Sequence, residues 1–350
     1  MSAPAFTTRA VVKDRPQPGV RVAEVTLRPR ATDVVVRPLA IGICGSDVST
    51  YRWGTDRANR MRVSLPVVMG HEIVGEVVEI GPAARTRPGV SGLAVGARII
   101  AEPIVACGRC RTCVDGRTNL CYERRVLGLD VDGGMADLAV LPASSVLPLP
   151  VALPPTEATL LEPLATAVQA MAKVGPVAGV SCAVVGPGPL GLLLTQALVT
   201  AGATTTVLGT ERSRERLRLA STLGAAETVV ADAEWTRANG DRFEVVFDVG
   251  GPTALLQAVQ LVRRGGRVVY ASGSDVPVPI AFNSMLKHRG IDLLTSTGHQ
   301  LDAWMEAFAL AASGGVRLAP LIDAVVSLER VADGFAAASA RSVLKCVVVP

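Results

Sequence analysis

Up to Pro155 the chain consists of short apolar runs broken by glycine and proline. β-Branched residues dominate these runs and turn-forming residues bound them, which is typical of strands. The predicted strands are Val11–Val12, Val34–Pro38, Ile73–Ile80, Ala97–Ala101 and Leu138–Leu141. Their alternation predicts a mostly antiparallel, barrel-like β domain, which the proline-rich segment Leu147–Pro155 closes.

Beyond Pro155 helix-like and strand-like segments alternate. The predicted helices are Thr156–Val174, Leu190–Ala201, Arg214–Leu223 and Leu301–Ser313. The predicted strands are Val180–Val185, Thr204–Leu208, Thr228–Val230, Glu244–Asp248, Arg267–Ala271 and Ile291–Thr295. Such alternation favours a parallel sheet with helices on both faces, so we expect an α/β protein. The last apolar run, Leu344–Val349, predicts a strand that returns to the first domain.

These patterns divide the chain into three segments. We expect a first domain over residues 1–156, a parallel-sheet domain over residues 157–297, and a return of residues 298–350 to the first domain. A length of 350 residues fits about two domains. The hydrophobic share of 49% is sufficient for their cores.

Composition argues against nucleic-acid and membrane partners. The net charge of +4 is spread along the chain without a basic block. No apolar run reaches the ~18 residues of a membrane span, and the N-terminus lacks the pattern of a signal peptide. Seven cysteines are present, and Cys182 and Cys346 lie inside apolar runs. This usage favours a reducing cytoplasm.

Four cysteines with short spacing predict a metal site. They are Cys107, Cys110, Cys113 and Cys121. Four thiolates fill the tetrahedral shell of Zn²⁺ and leave no open position. We therefore expect a structural zinc.

A glycine motif predicts a dinucleotide site. Gly186, Gly188 and Gly191 have GxGxxG spacing, and they lie between a strand-like and a helix-like run. Pro189 and Leu190 complete the loop, whose helix N-terminus would face the pyrophosphate. A glycine-rich turn without a ligand is the alternative. With its flanking elements, the motif favours a Rossmann-type domain.

The residues after the second predicted strand bear on the choice of cofactor. Glu211 follows the motif by about 20 residues, where an acid binds the ribose hydroxyls of NAD. Arg212 and Arg214 follow, and arginine can accept the 2′-phosphate of NADP instead. Both arginines could also be solvated residues at a helix start. NAD is favoured, and Arg216 and Ser272 complete the predicted cofactor contacts.

Cys44 and His71 are candidates for a second metal site. The chain has only three histidines, and His71 stands beside Glu72 between apolar runs. Alone, each residue would more often be structural. Their presence in the same chain as a dinucleotide-binding motif favours a catalytic metal.

Taken together, these motifs resemble the zinc-dependent branch of the medium-chain dehydrogenase/reductase superfamily. The similarity is strongest in five segments: Gly42–Asp47, Gly70–Gly75, Cys107–Cys121, Leu161–Leu164 and the Gly186 loop. Within the branch, Tyr51–Trp53 and Leu65–Gly81 resemble threonine dehydrogenases, and Leu161–Leu164 resembles polyol dehydrogenases. The resemblance implies a GroES-like catalytic domain, a Rossmann domain, and a homodimer or homotetramer.

The resemblance also implies roles for individual residues. Cys44 and His71 would bind zinc, and Glu72 and Glu162 would complete or alternate in its shell. Asp47 would orient the imidazole. Ser46 would contact the substrate hydroxyl and begin the proton path. The activity implied is hydride transfer between an alcohol and a nicotinamide cofactor, with zinc as the Lewis acid.

Three positions have alternative interpretations or depart from the family pattern. Asp47 could cap a helix that begins near Val48, and Glu162 could be an acid favoured by a helix dipole. Many relatives carry a proton-relay histidine three residues after Ser46, whereas this chain has Ser49. We expect the proton to leave through water or ribose hydroxyls.

The substrate is less well determined. Tyr51 and Trp53 are hypothesised to form the wall of the substrate pocket. An arginine among Arg52, Arg57, Arg60 and Arg62 could meet an anionic or polyhydroxylated substrate, although a solvated loop is an equal alternative. A secondary alcohol of a polyol, sugar, cyclitol or amino alcohol is expected, and threonine is possible.

Other classes of protein fit less of the sequence. A zinc-free reductase of the superfamily would retain the glycine loop without the cysteines. A zinc-ribbon binding or regulatory module would need only the four-cysteine cluster. An aromatic share of 3% and a modest charge disfavour a nucleic-acid module. A redox-inactive relative that senses nucleotide is a further alternative.

Overall fold

The computed structural model describes residues 4–53, 63–87, 89–251, 254–273 and 277–350. The chain divides into two compact units. The first unit comprises Met1–Glu162 and Ile322–Pro350, and the second comprises Pro163–Leu321. Among the described residues, no helix is both long enough and apolar enough to cross a membrane.

The first unit is built mainly from strands. Its strands are β1 Phe6–Lys13, β2 Arg21–Leu27, β3 Asp33–Gly42, β4 Val67–Val68, β5 Glu72–Ile80, β6 Arg98–Ala101, β7 Ile104–Val105, β8 Arg125–Val126, β9 Ala139–Pro142, β10 Val146–Pro148, β17 Ala324–Ser327 and β18 Cys346–Val349. Its helices are α1 Gly45–Arg52, α2 Arg111–Val114, α3 Pro155–Ala158 and α10 Val331–Ala340, and α4 Leu161–Ala172 begins there. Short turns of helix lie at Thr118–Leu120, Ala143–Ser145 and Leu328–Arg330.

Three sheets organise the first unit. The largest has the order β10-β6-β5-β3-β18-β17, with β9 also paired to β3, and its pairs are antiparallel except β17 with β18. The others are β2-β1-β4 and the pair β7-β8. The alternating apolar residues of β3 and β5 face one hydrophobic core, which includes Val34, Ile41 and Ile73. These sheets agree with the predicted antiparallel domain.

The central register of the large sheet brings distant residues together. Gly42 of β3 pairs with Glu72 of β5 on one side and with Val347 of β18 on the other. The segment after β3 and the start of β5 therefore lie next to the C-terminal strand.

The second unit alternates strands and helices. Its strands are β11 Ser181–Val185, β12 Thr204–Gly209, β13 Glu227–Val230, β14 Phe243–Asp248, β15 Val262–Tyr270 and β16 Asp292–Thr295. Its helices are α5 Pro189–Thr200, α6 Arg214–Thr222, α7 Ala233–Ala238, α8 Ala254–Leu261 and α9 Leu301–Ala312. Short helical segments lie at Glu211–Ser213, Phe282–Leu286, Lys287–Arg289 and Ala319–Leu321.

One parallel sheet forms the centre of the second unit. Its order is β13-β12-β11-β14-β15-β16, and all its pairs are parallel. The chain order reverses between β11 and β14, the position at which such sheets bind ligands. Buried Ala183, Val246 and Val268 contribute to the core between the sheet and its helices.

The structure corrects several predicted boundaries. The predicted helix Thr156–Val174 is two helices, α3 and α4, and the first unit extends to Glu162 rather than to residue 156. The chain returns to the first unit at Ile322, not at residue 298, because α9 packs within the parallel-sheet unit. Strand β2 and helices α7, α8 and α10 lie outside the predicted elements.

Candidate functional site

The segment from Cys44 to Asp47 forms the start of helix α1. The Asp47 carboxylate is fully buried, and its Oδ2 accepts a hydrogen bond from the backbone N–H of Cys44 at 2.9 Å. Asp47 is therefore the third residue of a helix that begins at Gly45 rather than near Val48, and its carboxylate completes the capping box by accepting from the N-cap residue Cys44. The cap fixes the orientation of Cys44 and Ser46 relative to β5.

His71 lies between Asp47 and Ser46. Its Nδ1 is 3.3 Å from Oδ1 of Asp47, and its Nε2 is 3.4 Å from Oγ of Ser46. Burial acts to lower the pKa of His71, but Asp47 and Cys44 outweigh it, and the pKa rises well above its usual value. Asp47 thus both caps α1 and contacts the imidazole, so the two interpretations of this residue are compatible.

Glu72 and Lys345 form a buried ion pair that the sequence analysis missed. Glu72 is 1% exposed and Lys345 3% exposed, and the Lys345 ammonium donates to Oε2 of Glu72. It also donates to the backbone oxygen of Ile43 at 3.2 Å. A Cβ on Gly42 would lie 1.8 Å from Oε2 of Glu72, so the glycine makes room for this carboxylate. A charged residue inside the apolar run Leu344–Val349 was the available signal.

The charges around this pair favour an added cation. Burial raises the pKa of the Glu72 carboxyl, and although Lys345 opposes this shift, the neighbouring Glu162 adds to it. Burial acts to lower the pKa of Lys345, but the nearby Glu72 and Cys44 outweigh it. The pKa of Lys345 is therefore raised overall, and the amine remains charged. Among the described residues, only the cluster of Cys107, Cys110, Cys113 and Cys121 brings three or more donor atoms within 4.8 Å of one another, so the support for a metal near Cys44 is the chemistry of its donors. Thiol, imidazole and carboxylate donors fit zinc.

The four cysteines of the predicted structural site come together. The sulfurs of Cys107, Cys110, Cys113 and Cys121 all lie within 4.8 Å of one another. Backbone N–H groups of Cys107 and Cys110 donate to the sulfurs of Cys121 and Cys107, at 3.3 and 3.4 Å. Contacts with Thr112 and with backbone groups lower the pKa of Cys110 to about 5. This donor set fits a tetrahedral zinc.

In the second unit, the glycine loop joins β11 to α5. Gly186 has φ of +113°, and a Cβ there would lie 2.5 Å from Cα of Gly250. A Cβ on Gly191 would lie 2.0 Å from the Gly186 oxygen. A Cβ on Gly188, however, would meet nothing within 4 Å. The loop is thus tight at both ends and open at Gly188, where Pro189 and Leu190 begin the helix, and this space fits a pyrophosphate.

The remaining predicted cofactor residues lie at the same edge of the sheet. Glu211 and Arg212 form a helical turn after β12, and Arg216 lies in α6. The exposed Glu211 carboxylate pairs with Arg214, which lowers its pKa. Ser272 follows β15, and its hydroxyl donates to Oδ2 of Asp248 at 3.2 Å. Asp248 lies outside the predicted site residues.

The aromatic residues proposed for the substrate wall have other contacts. The Tyr51 ring stacks on Phe335 with centroids 4.8 Å apart, within the core of the first unit. Tyr51 therefore contributes to packing in the first unit, and its place in a substrate pocket stays a prediction. Trp53 lies against the ammonium of Lys13, and Arg52 is exposed. Arg57, Arg60 and Arg62 lie outside the described residues.

Comparison with known proteins decides the family. Residues 30–151 match the alcohol dehydrogenase GroES-like domain, and residues 189–313 match the zinc-binding dehydrogenase family. The L-threonine 3-dehydrogenase of Pyrococcus furiosus is 35% identical over 323 residues, which are 89% of this chain and 90% of the relative. The chain is a zinc-dependent medium-chain dehydrogenase of the alcohol dehydrogenase superfamily.

Solved structures of other dehydrogenases share the fold. The L-idonate 5-dehydrogenase of Escherichia coli has a TM-score of 0.87 at 24% identity, with 99% of each chain covered. A candidate zinc-binding dehydrogenase from Sinorhizobium meliloti, crystallised with NADP, has a TM-score of 0.85 at 29% identity, with 99% and 100% covered. The predicted α/β fold, with a GroES-like domain and a Rossmann-type domain, is confirmed.

Proposed function

We propose that this dehydrogenase transfers a hydride between a secondary alcohol and a nicotinamide cofactor, giving a ketone. Polyols, sugars, cyclitols and amino alcohols are the proposed substrate classes. The observation that carries the proposal is the 3.4 Å separation of Ser46 Oγ from His71 Nε2, beside Cys44 and two buried glutamates. A hydroxyl that can exchange a proton thus lies next to the proposed zinc ligands.

Cys44, His71 and Glu162 are the proposed ligands of the catalytic zinc. The pairing of Glu72 with Lys345 supports Glu162 as the resident carboxylate and Glu72 as the alternate ligand. When bound, the ion would supply Lewis acidity toward the substrate oxygen. Cys107, Cys110, Cys113 and Cys121 are the proposed ligands of a second, structural zinc.

The chain's own residues account for the proton. Ser46 would accept the proton of the substrate hydroxyl and release its own proton onward, and the bound cofactor would supply the hydride acceptor. Asp47 holds the imidazole of His71 and thereby the hydroxyl next to it. The Ser49 hydroxyl donates to the backbone oxygen of Gly45 at 3.0 Å, so it is engaged within its own helix. Water or a ribose hydroxyl is therefore the proposed acceptor after Ser46.

NAD is the proposed preferred cofactor. The Glu211 carboxylate stands at the end of β12, where it would accept hydrogen bonds from ribose hydroxyls and repel a 2′-phosphate. Its pairing with Arg214 also occupies a guanidinium that a 2′-phosphate would need. Arg212, Arg216 and Ser272 remain proposed contacts at the same edge of the sheet.

Cofactor reduction by the purified chain tests the function. The panel contains polyols, sugars, cyclitols and secondary alcohols, with L-threonine first because the P. furiosus relative carries that name. Each substrate is offered with NAD and with NADP, before and after chelation, and zinc is then restored. We expect turnover that chelation abolishes and zinc restores.

Two results would argue against the proposal. Turnover that survives complete loss of zinc would favour a zinc-free reductase. Absence of turnover in both directions across the panel, with zinc bound, would favour a redox-inactive relative.

We also propose a homo-oligomer, a dimer or tetramer, in the cytoplasm. The family resemblance supports the oligomer, and the use of five of the seven cysteines as proposed zinc ligands, with none in a disulfide, supports a reducing compartment. Sedimentation velocity distinguishes a monomer, a dimer and a tetramer.

A further inference from the structure

Asp248 is a buried acid for which the proposed chemistry has no role. It is the last residue of β14 and has no exposed surface. It pairs in register with Val185 of β11 on one side and with Tyr270 of β15 on the other. It therefore lies where the strand order reverses, at the carboxyl edge of the parallel sheet.

The side chain and backbone of Asp248 connect two loops. Its Oδ1 accepts from the N–H of Gly250 at 3.0 Å, and its Oδ2 accepts from the hydroxyl of Ser272 at 3.2 Å. Its backbone oxygen accepts from the N–H groups of Ala271 and Ser272, both at 3.0 Å. One residue thus ties the loop after β14 to the loop after β15.

The first of these loops also packs against the glycine motif. A Cβ on Gly186 would lie 2.5 Å from Cα of Gly250, and a Cβ on Gly191 would lie 3.1 Å from Cγ2 of Val249. The positions of Gly250 and Val249 therefore limit the shape of the loop that faces the pyrophosphate. Any movement of Gly250 would reach Gly186 directly, because the two backbones are in contact.

We propose that the Asp248 carboxylate is a positioning group for dinucleotide binding, a latch that holds the loops after β14 and β15 against the Gly186–Gly191 loop. The proposal rests on the NAD(P)-linked function above and assigns this residue a part in it. In its ionised form the carboxylate only accepts hydrogen bonds, which matches the donors around it. Its protonation removes acceptor capacity and loosens the latch.

The energetic cost of this acid argues against a purely structural role. Burial raises the pKa of Asp248 to about 6, and hydrogen bonds from Gly250, Ser272 and Gly251 only partly oppose the shift. Among the described residues, its in-register neighbours Val185 of β11 and Tyr270 of β15, the hydroxyl of Ser272 and the amides of Gly250 and Gly251 supply no compensating charge. Ionisation at neutral pH thus costs stability, and such an exception is expected at a functional site.

Calorimetric titration of the full-length holoenzyme with NAD tests the latch between pH 5 and pH 8. NAD is the probe because the 2′-phosphate of NADP itself titrates near pH 6. We expect the Kd of the wild type to rise as pH falls through about 6, the pKa of Asp248. We expect Asp248→Asn to weaken NAD binding about tenfold at pH 8 and to remove this pH dependence.

Glu244→Gln is the matched control, because Glu244 lies at the other end of the same strand and accepts from Ser181. It should leave the Kd and its pH profile unchanged. Ser272→Ala provides a second test that keeps the acid. Loss of its hydroxyl donor should raise the pKa of Asp248 and move the inflection of the profile to higher pH.

The outcomes are separable. NAD binding by Asp248→Asn that equals or exceeds that of the wild type overturns the latch, since repulsion between the carboxylate and the diphosphate would then dominate. A wild-type Kd that does not change between pH 5 and pH 8 also overturns it, even if the variant does not fold. If the wild type binds no dinucleotide at any pH, the proposed function itself fails.

Discussion

Lys345 donates a hydrogen bond to Oε2 of Glu72, although the two residues are 273 positions apart in the chain. Both are buried beside Gly42, and the antiparallel pairing of β18 with β3 brings them together. The C-terminal strand thus completes the electrostatics of a site whose other groups lie before residue 163. The return of the chain to the first unit therefore matters for the proposed metal centre and not only for the sheet.

Removal of the Lys345 ammonium should destabilise the first unit strongly. In Lys345→Met the Glu72 carboxylate would remain buried without its partner, a change that typically costs about 3–5 kcal/mol. We expect a lower midpoint of urea unfolding and weaker retention of zinc. Equilibrium unfolding and metal analysis after gel filtration measure the two effects.

The double variant Lys345→Met with Glu72→Gln is the control for this prediction. Removal of both charges should recover most of the lost stability, because replacing both members of a buried ion pair often changes the free energy of unfolding very little. If the single and double variants unfold at the same denaturant concentration, the pair does not carry the coupling assigned to it.

Ser46 and Ser49 should differ sharply in their effect on catalysis. Ser46→Ala removes the hydroxyl next to His71 and should lower kcat by roughly 10²–10⁴, the usual contribution of a positioned acid–base group. Ser49→Ala removes only a hydroxyl bonded to Gly45 and should leave kcat within about twofold. Steady-state kinetics on the first active substrate, with zinc content measured in parallel, test this difference. An equal loss of activity in both variants would contradict the assignment of Ser46.

Site residues that belong to one short sequence motif could be predicted from the sequence. The four cysteines and the Gly186 loop each lie within one short segment, so local pattern was sufficient to predict them, whereas a role for Asp47 was predicted only from the family resemblance. Lys345 and Asp248 were missed because their partners come from distant strands, and only the sheet register brings them together. The stacking of Tyr51 on Phe335 was not predicted for the same reason, since Phe335 lies far along the chain.

Element types were more predictable than element boundaries. The alternation after Pro155 identified the parallel sheet, because buried strands and amphipathic helices have different periods. The helix predicted over Thr156–Val174 divides between Ala158 and Leu161, a break that no change in hydrophobicity marks. Helix α9 continues the parallel-sheet unit past residue 298, which depends on packing rather than on local pattern.

Glu211 should set the preference for NAD over NADP. Glu211→Ala removes the carboxylate that repels a 2′-phosphate and releases Arg214 to bind it. We expect the ratio of kcat/KM for NADP to that for NAD to rise about tenfold. Glu215→Gln makes a similar change of charge at an exposed position of α6 and should leave the ratio unchanged. An unchanged ratio in Glu211→Ala would remove this residue from cofactor selection.

The four-cysteine cluster should hold one of two zinc ions. Cys121→Ser should reduce the zinc content from two ions per chain to one and lower the melting temperature, since a structural zinc stabilises its fold. Cys182→Ser is the control, because burial raises the pKa of that thiol to about 12 and it lies in β11 of the other unit. Equal zinc content in the two variants would show that the cluster binds no zinc.

Asp248 should give the second unit a stability that falls as pH rises. Its pKa is raised from 3.8 to about 6 in the folded chain, so between these values the folded state retains a proton that the unfolded state has lost. The stability present below pH 3.8 is therefore lost as pH rises through about 6, a total of about 3 kcal/mol. The side chain of Asp248→Asn cannot ionise. The unfolding midpoint of this variant should therefore increase relative to that of the wild type as pH rises from 4 to 7.

Glu244 is the control for this prediction, because its contribution to stability should change with pH in the opposite direction. Hydrogen bonds from Ser181 and the pairing with Arg263 lower the pKa of Glu244, so its contribution is present at neutral pH and is lost as pH falls. Glu244→Gln should therefore lose stability relative to the wild type as pH rises, whereas Asp248→Asn should gain it. Urea unfolding at closely spaced pH values, followed by tryptophan fluorescence, measures both slopes. Slopes of the same sign in the two variants would contradict the burial argument for Asp248, since only a buried acid without a compensating charge should oppose folding when it ionises.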